Sequence, residues 1–317
     1  ALGVGVPSDP ARNQGMSRIL VIKLGALGDF VQAFGAFSSI RAAFPDDHIT
    51  LLTTPPFVDF ATAAPWFDDV TTDQRPSLKH PIALFRLSRT LRGFDRIFDL
   101  QTSGRSKTYF RLAGRPRNWS GISSGCCHPH ANPSRNDMHT LARLDDQLRA
   151  AGVPPLPRIV PEWLQGHGPK IQGRYGVLVP GAAPHRPQKR WPVTRFAEVA
   201  QALFQRGITP IIAGSAAETP LAEQIRTVCP QAIDLTGKTS LIELAGVLDR
   251  AEQVIGNDTG PMHLAAAMDR PVIALFSQDS DPRLTAPLTL TPGRTTILDV
   301  PDLALLPAFR IEALLPA

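Results

Sequence analysis

The stretch RILVIKLGALGD, residues 18–29, decides the fold. Its first half is an unbroken apolar run of strand length. A glycine-rich turn follows, and apolar residues then recur at helical spacing from Phe30 to Phe44. Strand, turn and helix in that order open a parallel α/β sheet whose strands are covered on both faces. HITLLTT at 48–54, FDRIFDLQ at 94–101 and RNWSGI at 117–122 read as further strands of the same sheet.

Between 152 and 173 the chain carries five prolines and little periodicity, the composition of an interdomain connection. The rhythm restarts with YGVLVPGA at 175–182. A helix from about Thr194 places Phe196, Val199, Ala200, Leu203 and Phe204 on one face and closes at Gly207. ITPIIAG (208–214) is a strand, a helix begins near Glu218, and AIDLTG (232–237) is a short strand. Ser240 with Glu243 forms a capping box for the next helix. EQVIGN (252–257) leads into a helix from about Thr259, and RPVIALF (270–276) is the last strand expected. Two Rossmann-like units in tandem result: a flexible extension at 1–15, a first unit at 16–160 and a second at 161–317. The tail IEALLPA, 311–317, is expected to pack back on the first unit.

Composition sets outer limits. With 317 residues, 43% hydrophobic and 19% charged, the chain is globular rather than disordered. A net charge of +5 selects no partner by itself. Arginines crowd one stretch, however, at 86, 89, 92, 96, 105, 111, 115 and 117, which points to an anionic partner of the first half. Cys126, Cys127 and Cys229 form no disulfide framework, so a reducing compartment is expected. Cys126 and Cys127 are adjacent and, with His128 and His130, read as an ordinary loop in preference to a metal site. No run of eighteen apolar residues occurs and residues 1–15 do not read as a signal peptide. A cytoplasmic protein is expected.

In open parallel sheets ligands gather beyond the carboxyl ends of the strands, and four loops there carry chemistry. Gly25 to Asp29 offers close backbone approach and a carboxylate, which either meets whatever ligand binds there or is a charge that stabilises a helix start. The spacing is not the dinucleotide fingerprint G-x-G-x-x-G. PGAAPHRPQKRW, 180–191, brings Lys189 and Arg190 beside Gly181 and Ala182, a setting for diphosphate or a solvated basic loop. Glu218 follows a strand and either meets ribose hydroxyls or starts a helix. GNDTGPMH, 256–263, is the most specific: Asp258 or Thr259 can cap a helix with Pro261 in its first turn. That leaves N–H groups around Gly260 for an anion, with His263 on the same face. A buried structural histidine is the alternative.

At these loops the sequence resembles glycosyltransferase family 9, the ADP-heptose:lipopolysaccharide heptosyltransferases, from Ile19 to about Ala286. The likeness rests on ILVIKLGALGD, on DLQ (99–101), on PGA followed by KRWP (189–192), on NDTGPMHLAAA and on FSQDSDPRLTAP (276–287). The resemblance implies a GT-B fold, with acceptor on the first domain, nucleotide-sugar on the second and chemistry in the cleft. It implies inverting, metal-independent transfer of a heptose or other sugar onto a lipopolysaccharide inner-core acceptor, without a cofactor. Under it Asp29 is the base; Gly181, Ala182, Lys189, Arg190, Glu218, Asp258, Thr259, Gly260 and His263 hold the donor; and Gly28, Gln101 and Arg105 meet the acceptor. Asp279-Ser280-Asp281 only imitates a D-x-D metal signature. The implied partners are a nucleotide-sugar, ADP-heptose foremost, and an anionic lipid-linked glycan, with peripheral contact at the inner face of the inner membrane and no nucleic acid. A relative using another nucleotide-sugar or acceptor, and a non-catalytic nucleotide-sugar-binding paralogue, are the competing readings. The loop after PGA lacks the threonine pair that some relatives use for phosphate.

Overall fold

The computed structural model describes residues 16–77, 79–183 and 185–317; the extension expected at 1–15 lies outside them. Among the described residues there are two six-stranded sheets. The first contains β1 (Arg18–Ile22), β2 (His48–Thr53), β3 (Asp69–Thr72), β4 (Arg96–Asp99), β5 (Trp119–Gly121) and β6 (His128–Pro129). The second contains β7 (Tyr175–Val179), β8 (Thr209–Ile212), β9 (Ile233–Asp234), β10 (Gln253–Asn257), β11 (Val272–Phe276) and β12 (Thr295–Asp299).

The helices that accompany the first sheet are α1 (Leu27–Gln32), α2 (Phe34–Ala43), α3 (Val58–Thr62), α4 (Pro81–Thr90), α5 (Gly104–Leu112) and α6 (Thr140–Ala150). With the second run α7 (Val193–Gln205), α8 (Thr219–Val228), α9 (Leu241–Asp249), α10 (Gly260–Ala267), α11 (Pro282–Thr285) and α12 (Phe309–Glu312).

All strand pairs are parallel, in the orders β3-β2-β1-β4-β5-β6 and β12-β11-β10-β7-β8-β9. Counted from its own first strand, each sheet has the same doubly wound order, which reverses between β1 and β4 and between β7 and β10. The fold is GT-B, two Rossmann-like sheets facing each other.

The central strands came through as read, because β1, β7 and β11 are largely apolar and, β1's first residue apart, buried, and β10, though it begins with Gln253 and ends with Asn257, is buried throughout. The edge strands β3, β6 and β12 were not anticipated. They are short or half-exposed and carry no apolar run, so β11 is not the last strand. The single helix expected over 30–44 is two helices broken at Ala33. On α7 the apolar face is Phe196, Val199, Ala200 and Leu203, while Phe204 is largely exposed. The capping box at Ser240 and Glu243 is formed.

The tail differs from expectation. Ile311 and Leu315 pack with Trp191, Phe196 and Leu203 on the second sheet. Arg206 closes that contact by donating to the carbonyls of Leu315 and Glu312 at 3.0 and 2.9 Å. Its apolar residues cover Phe196 and Leu203 of α7, so the tail belongs to the core of the second unit.

The connecting segment holds the two units together. Trp163, beyond the expected boundary at 160/161, packs into Phe60 (5.4 Å), Trp66 (5.7 Å) and Phe34 (6.1 Å) of the first unit. A few residues later Gly168 lies against the backbone of Glu243 in α9, where a Cβ would fall 2.5 Å from the carbonyl oxygen. Truncating a large aromatic in such a cluster leaves a cavity and removes ring contacts. Trp163→Ala is expected to lower stability by about 3 kcal/mol, the low end for a large aromatic because the ring is half-buried; urea unfolding followed by circular dichroism reads this directly.

Candidate active site

The first switch point, between β1 and β4, is lined by side chains that pin one loop. Gln101, just past β4, accepts from the Leu24 amide at 2.8 Å and donates to the Gly25 carbonyl at 3.3 Å. Lys23 is buried and donates to the Leu100 carbonyl at 3.1 Å. Burial lowers its pKa, and the nearby carboxylate of Asp29 works against that shift. Asp99 is fully buried; one carboxylate oxygen accepts from the Thr102 and Gln101 amides at 2.9 and 3.2 Å, and the other has no partner. Burial raises its pKa from 3.8 to about 6 against these hydrogen bonds.

Over this floor lies a polar cavity of about 180 Å³ lined by Lys23, Asp29, Gln101, Thr102, Arg135 and Arg143. Three cations face one carboxylate, so the space suits an anionic group. Arg135 is braced by donating to the Thr102 hydroxyl at 2.6 Å. Of the residues assigned to the acceptor from sequence, Gln101 is here, and Gly28 directly precedes Asp29 and lies against the His263 ring. Arg105 is not: it is exposed on α5, its guanidinium turned to the Pro76 carbonyl and Tyr109 hydroxyl at 3.5 Å each. Arg135 and Arg143 escaped the sequence reading because they sit in no motif. They arrive from a loop and a helix far along the chain.

The second switch point, between β7 and β10, is stapled by Asn257. Its buried side chain donates to the Pro180 and Gly181 carbonyls at 2.8 and 3.2 Å and accepts from the Trp191 amide at 3.0 Å. One asparagine thus sets both ends of the 180–191 loop against the start of α10. Asp258 receives Lys189 at 2.6 Å and the Ser280 hydroxyl at 2.8 Å, and the Lys189 side chain is almost buried.

Thr259 holds the N-cap position of α10, but its hydroxyl donates to the Asn257 carbonyl at 3.1 Å and no side chain caps the first turn. A helix start of this kind attracts anions through its unpaired amides and dipole. His263 Nε2 is 3.9 Å from Asp258. Burial pushes its pKa down to about 4 despite Asp258 and Asp29, so at neutral pH the ring contributes a hydrogen bond and no charge.

Gly181, Ala182 and Glu218 line an adjoining cavity of about 570 Å³ that reaches Thr259 on one side and Ser240 and Leu241 on the other. One oxygen of Glu218 already receives the Ser215 amide and hydroxyl at 2.7 and 2.5 Å. Arg190 stands apart from these cavities and donates to the Ala182 carbonyl at 3.0 Å, holding the loop. Arg186 takes the place at the cleft expected of it. In the D-x-D imitation, Ser280 serves Asp258, while Asp281 caps α11 through the Arg283 amide at 2.9 Å and pairs with the Arg283 guanidinium.

The two switch points meet because α1 and α10 touch. A Cβ on Gly28 would fall 2.7 Å from the His263 ring, and one on Gly260 would fall 2.6 Å from Leu27. Glycine at both positions lets the two helix starts pack backbone to side chain, and a cavity of about 660 Å³ opens beside them. Asp29 and Gly28 line one wall; Lys189, Asp258, Thr259 and His263 line the other. Asp29 therefore faces Lys189 and the start of α10 across this cavity.

Residues 137–301 match glycosyltransferase family 9 (heptosyltransferase). The chain belongs to glycosyltransferase family 9. Among its relatives, the lipooligosaccharide heptosyltransferase 2 of Haemophilus influenzae is 39% identical over 108 residues, which is 32% of this chain and 31% of that protein. The lipopolysaccharide heptosyltransferase 2 of Escherichia coli is 26% identical over 307 residues, 86% of each chain. The solved structure of E. coli heptosyltransferase WaaC with ADP superposes with a TM-score of 0.76 at 20% identity, covering 94% of this chain and 98% of that one. This family 9 glycosyltransferase thus shares the architecture along nearly its whole length.

Two outcomes test the geometry. Asp99 keeps its proton in the folded state up to about pH 6, whereas in the unfolded chain it loses it near 3.8. The stability this contributes is present below about pH 4 and is lost as pH rises through 6, on the order of 3 kcal/mol in all. Denaturant unfolding should therefore show Asp99→Asn gaining on the parent protein between pH 4 and 7; a difference that does not vary with pH would remove the assignment. Gly28→Ala should push the His263 ring aside and lower turnover by about tenfold or more, as small displacements of reacting groups do, with the circular dichroism spectrum unchanged.

Proposed function

We propose that the protein transfers a heptose, or a closely related sugar, from its ADP-linked form to the inner core of lipopolysaccharide, with inversion at the anomeric carbon. The observation that carries this reading is the single cavity shared by Asp29 and by Lys189, His263 and the start of α10. The relatives are lipopolysaccharide and lipooligosaccharide heptosyltransferases, and the WaaC structure holds ADP; the donor assigned here follows theirs.

The nucleoside occupies the cavity beside Gly181, Ala182 and Glu218, whose oxygen turned toward Gly181 is placed for ribose hydroxyls. The diphosphate lies at Thr259-Gly260, with Lys189 as cation and the neutral His263 ring as donor. The acceptor enters from the first sheet and rests an anionic group, carboxylate or phosphate, among Lys23, Arg135 and Arg143.

Asp29 takes the proton of the acceptor hydroxyl while that oxygen bonds to the anomeric carbon. The bond from that carbon to the diphosphate breaks, and the electron pair leaves with the phosphate oxygen on the opposite side. Lys189 and the helix start stabilise the charge that grows there, a task this reading gives to protein groups and not to a metal ion. Lys189 does not come free: Asp258 holds it now, so the diphosphate must share it. The enzyme works where a lipid-linked acceptor is found, as a peripheral protein at the inner face of the inner membrane.

Calorimetric titration with a panel of nucleotide-sugars, followed by transfer assays on truncated lipopolysaccharide, tests the reading. Asp29→Ala should reduce transfer by about 10²–10⁴ and leave donor affinity within about twofold. Lys189→Ala should weaken ADP binding by about ten- to a hundredfold, the range for a lost hydrogen bond to a charged group. Donor affinity that falls together with turnover in Asp29→Ala would contradict the base role.

A further inference from the structure

The arginine-rich stretch is not absorbed by the site. Between Gln74 and Asn136 the sequence holds twelve basic residues and two acidic ones, so with a chain total of +5 the remainder is net acidic. No acidic residue occurs from 74 to 94 or from 100 to 136. Most of this charge decorates α4, α5 and their flanks, where Lys79, Arg86, Arg89, Lys107 and Arg111 are all exposed.

Among these charges stand two large apolar side chains. Ile82 is 71% exposed and Phe85 is 64% exposed, three residues apart and so on one face of α4. The opposite face explains how the helix is anchored: Leu87 and the following Leu91 are buried with Leu20, Tyr109, Phe110 and Trp119. The Ser88 hydroxyl donates to the Leu112 carbonyl at 2.7 Å and ties α4 to α5.

The place in the fold is equally specific. Residues 73–77 leave the carboxyl end of β3, and within them Arg75 donates to the Leu24 carbonyl at 3.2 Å, in the loop that leads to Asp29. The N-terminal half of α4, with Ile82 and Phe85, therefore sits at the carboxyl end of the strands, the end at which the acceptor cavity lies. No helix among the described residues is long and apolar enough to cross a bilayer. An apolar pair ringed by arginine and lysine on a surface helix is the pattern of interfacial binding, with rings below the headgroups and cations among the phosphates.

We propose that the face formed by α4 and α5 docks on an anionic lipid bilayer, with Ile82 and Phe85 entering the acyl boundary and the surrounding arginines and lysines meeting lipid phosphate. A nucleic acid would match the charge but leave Ile82 in water. The proposal deepens the acceptor reading above, which it uses only for what the bilayer carries, and it orients the cleft toward a lipid-held acceptor.

The full chain is sedimented with vesicles of phosphatidylglycerol and phosphatidylethanolamine, or of phosphatidylcholine alone. Binding should require the anionic lipid and weaken at about 0.5 M salt. Ile82→Ser with Phe85→Ser should reduce partitioning by about tenfold, and Arg86→Glu with Arg89→Glu should do likewise, each with unchanged melting temperature. The Ile82/Phe85 double variant should keep the parent's turnover on a soluble, acyl-free acceptor and lose it on acceptor embedded in vesicles. Equal binding to neutral vesicles, or parental binding by the Ile82/Phe85 variant, overturns the proposal, as does an RNA that displaces the vesicles and binds that variant as well as the parent. Vesicle binding as described with no transfer to any acceptor would refute the transferase reading and leave the docking surface standing.

Discussion

The site depends on the close crossing of α1 and α10. Both helices begin beside the same cavity, and they approach because Gly28 and Gly260 carry no side chain where His263 and Leu27 need the room. A helix as short as α1 does not hold itself in place. Phe30, one residue after Asp29, is fully buried and stacks on Phe57 at 5.3 Å with Phe37 and Phe60 around it. The direction of Asp29 is therefore set by an aromatic core, and its distance from α10 by two missing side chains.

The shared strand order explains why chemistry collects at that crossing. Each sheet reverses its winding next to its first strand, and in each the loops diverge there and leave a crevice. The two crevices are equipped differently. Beside β1 the groups are cations on long side chains, Lys23, Arg135 and Arg143, arranged around a carboxylate. Beside β7 the positive end is mostly backbone, with Lys189 already neutralised by Asp258. The side-chain charges of the first act over a longer range than the backbone amides of the second, whose effect is confined to the first helical turn.

Much of this was legible in the sequence, for identifiable reasons. Buried parallel strands are apolar runs, and glycine or capping residues mark the loops behind them, so the tandem sheets, the capping box at Ser240 and the four chemical loops could be placed from pattern alone. Motifs brought Asp29, Lys189, Asp258 and His263 to the right loops, and the structure brings those side chains to one cavity. What was not legible is what depends on contacts distant along the chain. Arg135 and Arg143 join Asp29 only through packing, while Arg105, four residues after Gln101, turns away from the cavity that Gln101 lines. Edge strands without an apolar run gave no signal, and the tail's packing on α7 is a tertiary contact that no local pattern records. Asn257 was within a recognised motif, yet its role as a staple between two loops shows only in its partners.

The neutral ring of His263 has a thermodynamic corollary. A dianion settling at the start of α10 adds negative potential next to an imidazole that burial has kept unprotonated, and so eases its protonation. Association of such a ligand then draws part of a proton from solution. Its measured heat depends on the ionisation enthalpy of the buffer, and its affinity rises as the medium becomes more acidic toward the range where the ring titrates.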